Sequence, residues 1–449
     1  MNVFIYSNHT DWEQPVITHF QTTGLWNKVI TTSNILPANK HAEGVYMRDA
    51  NFSNIEPAPH ELFNNLRPKI YQFMDMYSRN SKNSQNEELD FSVQEYYDFF
   101  HLLINFFHFH FTNNDIDLAL FNRAPHTGTD FVAYSVAKEL NIRTLMMEQS
   151  RYPNRFFYYW DNDDFGTFNT TKKLFEHEWI KLEQKFEKDL IYMKGVNPKS
   201  GKTNTKIKEK PTYKLLRELF DSELRGTAIS RFEKKKAYRK NREALFSASP
   251  NLDESYVYFG LHMQPEKTTS NWGGIYNDQI LALEKLAELI PDGWKIYVKE
   301  NPKQDYFMRS KWVFKRLKLI PKVVFVPTNT STYDLLKNSE FAATITGTLG
   351  WEAITGGKKV LAFGWGAWYK SLPGVAIYSE RLDLEAFLNE EVAFDDVEKQ
   401  YNKLMSHTAP GVIYNRKWHT KLVENYSKDE NIETIKQSLE TIFKHYLQS

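Results

Sequence analysis

The residues best suited to chemistry lie in Ala343–Gly364, ATITGTLGWEAITGGKKVLAFG. An apolar run that reads as a strand leads into Thr346-Gly347-Thr348, where a helical pattern begins. The first N–H groups of a helix have no partner within it and carry the positive end of its dipole, so they suit a phosphate. Gly347 lets an anion approach the backbone. Glu352, in the first turn, is placed to bond a ribose hydroxyl. The same residues also make an ordinary helix start, with Thr346 or Thr348 as the cap and Glu352 answering the dipole. The Gly-Gly-Lys-Lys and buried strand that follow tilt the balance towards a nucleotide site.

Two more loops follow strands in the same half of the chain. LHMQPEKTTSNWGG (261–274) combines polar and aromatic residues, and Gln264, Glu266, Thr268 and Thr269 can bond a base, phosphate or sugar. In Lys299-Glu300-Asn301-Pro302 the lysine can neutralise a phosphate, and Asn301 lies beside it. A surface loop and a solvated strand end are the plain alternatives. In the N-terminal half, Pro125-His126-Thr127-Gly128-Thr129-Asp130 follows a strand. His126 can exchange a proton with a hydroxyl, and Asp130 can orient it or cap the next helix. Glu148, after the following strand, is a second acid near that edge.

Other signals are weaker. GVNPKSGKT (195–203) has one residue too many for a phosphate-binding P-loop and no strand before it. Asp161-Asn162-Asp163-Asp164 has the look of a metal-binding acidic motif but also of a plain turn. His101 and His108 share a helix face while His110 points elsewhere, so no metal site is expected. The run Lys234–Lys240 reads as a solvated helix face, with anionic lipid or an acidic glycan as the alternative.

These loops need strands and helices to hold them. Residues 2–6 read as a buried strand and 91–111 as a long aromatic helix, followed by a β-α-β unit from Leu118 to Met147. Residues 168–250 are rich in Lys and Glu and read as a helical insertion, including KKLFEHEWIKLEQKFEKDL and YKLLRELFDSEL. From Tyr256, strands and helices alternate with short links, which implies a doubly wound parallel sheet. Residues 411–449 read as a helical end. The expected fold class is therefore α/β, with domains at 1–167 and 251–410 and the helical segments at 168–250 and 411–449.

The totals exclude several classes. The 449 residues suit two or three domains. A net charge of +1 provides no electrostatic case for nucleic acid. The absence of cysteine rules out disulfides, thiolate catalysis and cysteine-based metal sites, and fits the cytosol. The start MNVFIYSNHTDWEQ has no signal-peptide pattern, and no run approaches the ~18–20 apolar residues of a membrane span, so membrane contact would be peripheral.

With LHMQPEKTT, KENP and VVFVP…DLLKNSEFAATITGTLGWEAITGGKKVLAFG in view, the chain resembles the bacterial capsule polysaccharide biosynthesis proteins, a family that includes Kdo transferases. The likeness covers residues 256–375, with weaker support from PHTGTD. It implies a GT-B-like fold of two Rossmann-like domains facing a cleft, the acceptor on the N-terminal domain and a nucleotide-sugar donor on the C-terminal one. It implies a cytoplasmic transferase, peripheral at the inner membrane, using a CMP-activated ulosonic acid without metal or cofactor, and with retention. The acceptor would be an oligosaccharide or a lipid-linked glycan. Donor contacts would come from Gln264, Glu266, Lys299, Asn301, Thr346, Gly347, Thr348 and Glu352. His126, Asp130 and Glu148 would serve the acceptor. The family commonly has His before proline where this chain has Asn301-Pro302, so no role carries over for that His. A nonulosonic acid such as pseudaminic or legionaminic acid fits beside Kdo as the donor sugar. A UDP-sugar or polyol-phosphate transferase, and a non-catalytic glycan-binding subunit, are the competing readings.

Overall fold

The computed structural model describes residues 1–7, 10–35, 50–78, 91–150, 154–186, 222–245, 250–413 and 426–447. The chain divides into two units, Met1–Ile180 with Tyr401–Ser449, and Lys181–Gln400.

The first unit holds a six-stranded sheet: β1 (Asn2–Tyr6), β2 (Lys28–Thr31), β3 (Leu118–Phe121), β4 (Arg143–Gln149), β5 (Arg155–Tyr159) and, late in the chain, β12 (Thr408–Pro410). Their order is β12-β5-β4-β3-β1-β2, with β2, β1, β3 and β4 parallel, β5 antiparallel to β4, and β12 antiparallel to β5. The central strands β1 and β3 are apolar and buried on both faces because helices cover both. The helix Val93–Thr112 opens with a capping box, Ser92 and Glu95 each bonding the other's backbone N–H. It sets Phe107 and Phe111 edge-on to Phe4, at 6.1 and 4.9 Å between centroids. On the other face, the helices Glu13–Thr22 and Lys428–Leu447 meet through Phe20 and Phe443, which cluster with Trp26.

The second unit carries β6 (Tyr256–Gly260), β7 (Lys295–Lys299), β8 (Val323–Val326), β9 (Phe341–Thr344), β10 (Val360–Ala362) and β11 (Val375–Ile377). All six are parallel, in the order β11-β10-β9-β6-β7-β8. Two doubly wound α/β units in one chain are the GT-B-like architecture that the resemblance implies. In each unit the chain first winds one way and then returns to the other side of its first strand. The reversal falls between β1 and β3 in the first sheet and between β6 and β9 in the second. Ligands of open α/β sheets bind outside the carboxyl ends of the strands at such switch points.

Several expectations change. Residues 172–186, expected as helix, have no regular secondary structure. Their backbone is held by side chains instead: Ile180 exchanges N–H and C=O bonds with the Asn402 amide, and Leu182 N–H donates to Glu398. Tertiary partners thus override the helical propensity of a Lys/Glu-rich stretch. The other part of the expected helical insertion does contain a helix, Ser222–Glu243, and its Tyr238 is buried against Phe314 of the second unit. The P-loop-like run 195–203 and most of YKLLRELFDSEL lie outside the described residues. The C-terminal helix is part of the first unit's core, and β12 takes the unit boundary back to residue 400.

Candidate functional site

At the second unit's switch point, β6 runs into His262 and β9 into Thr344–Thr348. His262 is buried, and its Nε2 lies 2.8 Å from Thr344 Oγ1. Burial, aided by the nearby Arg309 cation, pushes the imidazole pKa down to about 4, so the ring is neutral at physiological pH. Gln279 brackets the His262 peptide, accepting from its N–H at 2.7 Å and donating to its C=O at 3.1 Å. Arg309 donates to the same carbonyl at 3.0 Å and to Gln264 Oε1 at 2.7 Å. Its guanidinium also grips Glu300 in two bonds of 2.9 and 3.2 Å, both partners being buried. A buried ion pair of this kind persists only when its remaining groups are satisfied, and here backbone and amide oxygens do that.

This network supports the turn after β9. The Gly347 N–H donates to Thr344 Oγ1 at 3.3 Å, and its C=O accepts from Tyr369 Oη at 2.6 Å. A Cβ on Gly347 would stand 2.7 Å from His262 Nε2. With φ at −72°, glycine is needed here for the close approach of the histidine, not for backbone conformation. The Thr346 hydroxyl donates to Thr268 O at 2.6 Å, tying the β9 turn to the loop after β6. The helix Thr348–Thr355 then starts with no side-chain cap and no acid in its first turn. Thr348 and Leu349 present the N–H groups that open it, and the Thr348 hydroxyl is half-buried at that end.

The structure thus gathers the expected donor residues on one sheet edge but gives them different work. Gln264 is buried among Arg309, Gln279 and Gln304, and shapes the loop. Lys299, expected to meet phosphate, is buried and donates to Thr330 O at 2.6 Å and Thr332 Oγ1 at 2.9 Å, so its ammonium anchors the loop after β8. Asn301 accepts from Lys303 N–H and turns the chain. Glu266 is half-buried at the start of the short helix Lys267–Ser270. Glu352, expected in the first turn to bond a ribose hydroxyl, lies beyond that turn and is buried, close enough to Tyr258 to help push that phenol's pKa up, after burial itself. Sequence reasoning missed His262, Gln279, Arg309 and Thr344, although His262 stood in a quoted motif.

At the first unit's switch point, Asp130 accepts from the N–H groups of His126 at 2.9 Å and Thr127 at 2.7 Å. Burial raises its pKa while these N–H bonds oppose the rise. His126 is buried too, its Nδ1 2.9 Å from Ala124 O and 3.5 Å from Asp130. Asp130 therefore closes the loop before the helix Thr129–Glu139, whereas the plainer reading had it cap that helix, whose start has no side-chain cap. Glu148 is half-buried and accepts from Ala124 N–H at 3.4 Å. A further buried carboxylate, Glu13, was not anticipated; it accepts from Ser7 Oγ at 2.5 Å and Asn122 Nδ2 at 2.7 Å, joining the ends of β1 and β3. The acidic run is also local: Asp161 accepts from Tyr134 and Lys138, and Asp164 from Thr167, Asn169 and Thr170. Among the described residues no three His, Asp or Glu side chains converge as a metal would require, and no helix is long and apolar enough to cross a membrane.

Residues 223–409 match the family model described as capsule polysaccharide biosynthesis protein, so the resemblance read from the sequence holds over that segment. No curated protein sequence matches the chain. Among solved structures, it is similar to the β-Kdo 2,7 transferase of KpsC from Thermosulfurimonas dismutans, with 10% identity over 97% of this chain and 98% of that one and a TM-score of 0.36. For the β-Kdo 2,4 transferase of the same protein the values are 15%, 65%, 79% and 0.28. For the UDP-GlcNAc 2-epimerase of Methanocaldococcus jannaschii, in complex with UDP-GlcNAc and UDP, they are 11%, 90%, 98% and 0.23. These TM-scores are all below 0.5, so the description of the fold rests on the two sheets themselves.

Proposed function

From the match of residues 223–409 to the capsule polysaccharide biosynthesis family, we propose that the chain is a glycosyltransferase that moves a ulosonic acid from a CMP donor to a glycan hydroxyl in capsule or surface polysaccharide synthesis. The observation that carries this reading is the braced turn at the second unit's switch point. It leaves an uncapped helix start beside a neutral histidine, where a phosphate has N–H donors and no competing carboxylate in the first turn. Thr348 and the N–H groups of Thr348 and Leu349 hold the phosphate. Glu266 and the loop shaped by Gln264 meet the rest of the donor, with Asn301 at the same sheet edge. Lys299 supports this arrangement from within.

The first unit binds the acceptor, an oligosaccharide or lipid-linked glycan. In the retaining course, a carboxylate displaces CMP at the anomeric carbon and the phosphate leaves with the bonding pair. The acceptor oxygen then displaces the carboxylate while its proton passes to a base. His126 and Glu148 are the candidates to take the acceptor proton, and Asp130 holds the loop that carries His126. The reaction needs no metal or cofactor, and the protein works in the cytoplasm, peripherally at the inner membrane. The donor sugar is a nonulosonic acid such as pseudaminic or legionaminic acid, or Kdo.

Thermal stabilisation by CMP, CDP, UDP and GDP tests the donor site, with Thr348→Ala as the variant because its hydroxyl is partly exposed and its loss leaves the buried network intact. A CMP-selective shift that Thr348→Ala weakens is the expected result. Selectivity for UDP or CDP would replace the donor with a UDP-sugar or polyol-phosphate precursor. No shift with any nucleotide would overturn the reading in favour of a non-catalytic glycan-binding subunit.

A further inference from the structure

The helix Lys311–Lys318, KWVFKRLK, turns Phe314 and Leu317 into the core of the second unit. Its opposite face is unusual. Trp312 is 59% and Leu319 71% exposed, with Lys315 between them, a spacing that puts all three on one stripe. The Lys311 and Lys315 ammonium groups lie 5.1 and 5.3 Å from the Trp312 ring centroid. Among the described residues, none of Lys311, Lys315 and Lys318 has a carboxylate within ion-pair distance, whereas Arg316 is engaged by Asp278 and Glu284. Beside the stripe is a groove of about 260 Å³, lined by Ala244, Leu245, Leu317, Ile320, Val323 and Phe325, with Lys318 also in its wall. The helix Ser222–Glu243 packs on the same element through Tyr238, and it exposes Phe232 (69%) with Lys235, Lys236, Arg239 and Lys240.

We propose that this face, centred on Trp312, Leu319 and their flanking lysines, docks on the surface of a bilayer containing anionic lipid. Two features select that occupant. Among the described residues Lys311, Lys315 and Lys318 have no carboxylate within ion-pair distance, though Lys235 meets Asp305, and the three complement an anionic surface. The exposed tryptophan and leucine suit the boundary between headgroups and acyl chains, into which lysine stems reach while their charges stay in water. An acidic glycan would satisfy the lysines but leave Leu319 uncovered. The inference gives the peripheral membrane contact of the reading above a location. It rests on that reading only for the choice of membrane, because vesicle binding is measured without donor or acceptor and can succeed or fail independently of the transferase chemistry.

The test is co-sedimentation of the full chain with vesicles of phosphatidylcholine, with or without a minority of phosphatidylglycerol. The chain is expected to bind only the anionic vesicles. The triple variant Lys311→Gln/Lys315→Gln/Lys318→Gln is expected to lose roughly fivefold in affinity per lysine, about a hundredfold in all. Trp312→Ser/Leu319→Ser is expected to lose the part of the binding that persists in high salt. Lys337→Gln/Lys403→Gln, exposed lysines elsewhere, is expected to bind like the wild type. Thermal midpoints check that every variant is folded. Failure of the chain to sediment with anionic vesicles would overturn the proposal, as would a triple variant that binds like the wild type. Binding to heparin without binding to vesicles would also overturn it, and would assign the face to an acidic polysaccharide.

Discussion

The two switch points have the same topology and opposite chemistry. In the first unit, the loop before the helix Thr129–Glu139 gives its N–H groups to Asp130, so a carboxylate of the chain occupies the place where an anion would sit. In the second, the helix Thr348–Thr355 starts without a side-chain cap, and its turn is braced from behind by His262, Thr344 and Tyr369. Neither helix start has a side-chain cap, but the filled niche carries the Asp130 carboxylate in its first turn and the open niche carries none, so an external phosphate is favoured at the second. The buried groups follow the same division. The first unit joins its strand ends through Glu13, and the second through the Arg309–Glu300 pair and a neutral imidazole.

The largest expected effect tests the brace. Arg309→Met leaves Glu300 buried without its counter-charge and should cost about 3–5 kcal/mol. A fall in the denaturant midpoint of that size is the check, and a near-neutral result would mean the pair does not carry the turn. Next is the histidine. Its pKa is depressed in the folded state, so the unfolded chain binds more protons between the ordinary value of 6.5 and about 4. Stability is therefore complete above pH 6.5 and falls as pH drops towards 4, by about 3 kcal/mol at full protonation. Chemical unfolding across that window should show the slope, and His262→Gln should flatten it.

Two glycines sharpen the contrast. Gly347→Ala brings a Cβ within 2.7 Å of His262 and should cost about 1–3 kcal/mol while abolishing the nucleotide-induced thermal shift. Gly128→Ala, strained by a φ of +91° and a Cβ 2.9 Å from Tyr77, should also destabilise but leave that shift intact. Equal effects on nucleotide binding would erase the distinction between the two niches. The smallest effect concerns the filled niche. Asp130→Ala should cost about 1 kcal/mol, as loss of a capping side chain does, and leave nucleotide binding unchanged.

Much of this was legible beforehand because it is local. The β-α alternation from Tyr256, the strand Leu118–Phe121 and the turn Thr346–Thr348 announced themselves through apolar runs and turn residues, and the structure places each as read. The stretch 172–186 was misread because its Lys/Glu pattern suits a helix, while the partners that hold it, Glu398 and Asn402, lie more than two hundred residues along the chain. Lys299 looked like a phosphate ligand because nothing near it in sequence shows that Thr330 and Thr332 take its ammonium.

By itself, the sequence determined that this is an α/β chain with two winding sheets, and that a glycine-bearing turn opens a helix after β9. Those properties follow from periodicity and from the conformational limits of single residues. Only the tertiary structure decided which niche stays open. That choice depends on which buried groups meet across strand ends: Arg309 on Glu300, His262 on Thr344, Asp130 on the loop beside it. The second contact joins residues far apart in the chain, and the first and third, though local, depend on burial that no local pattern announces, since a carboxylate near a helix start can as well face solvent as close the loop.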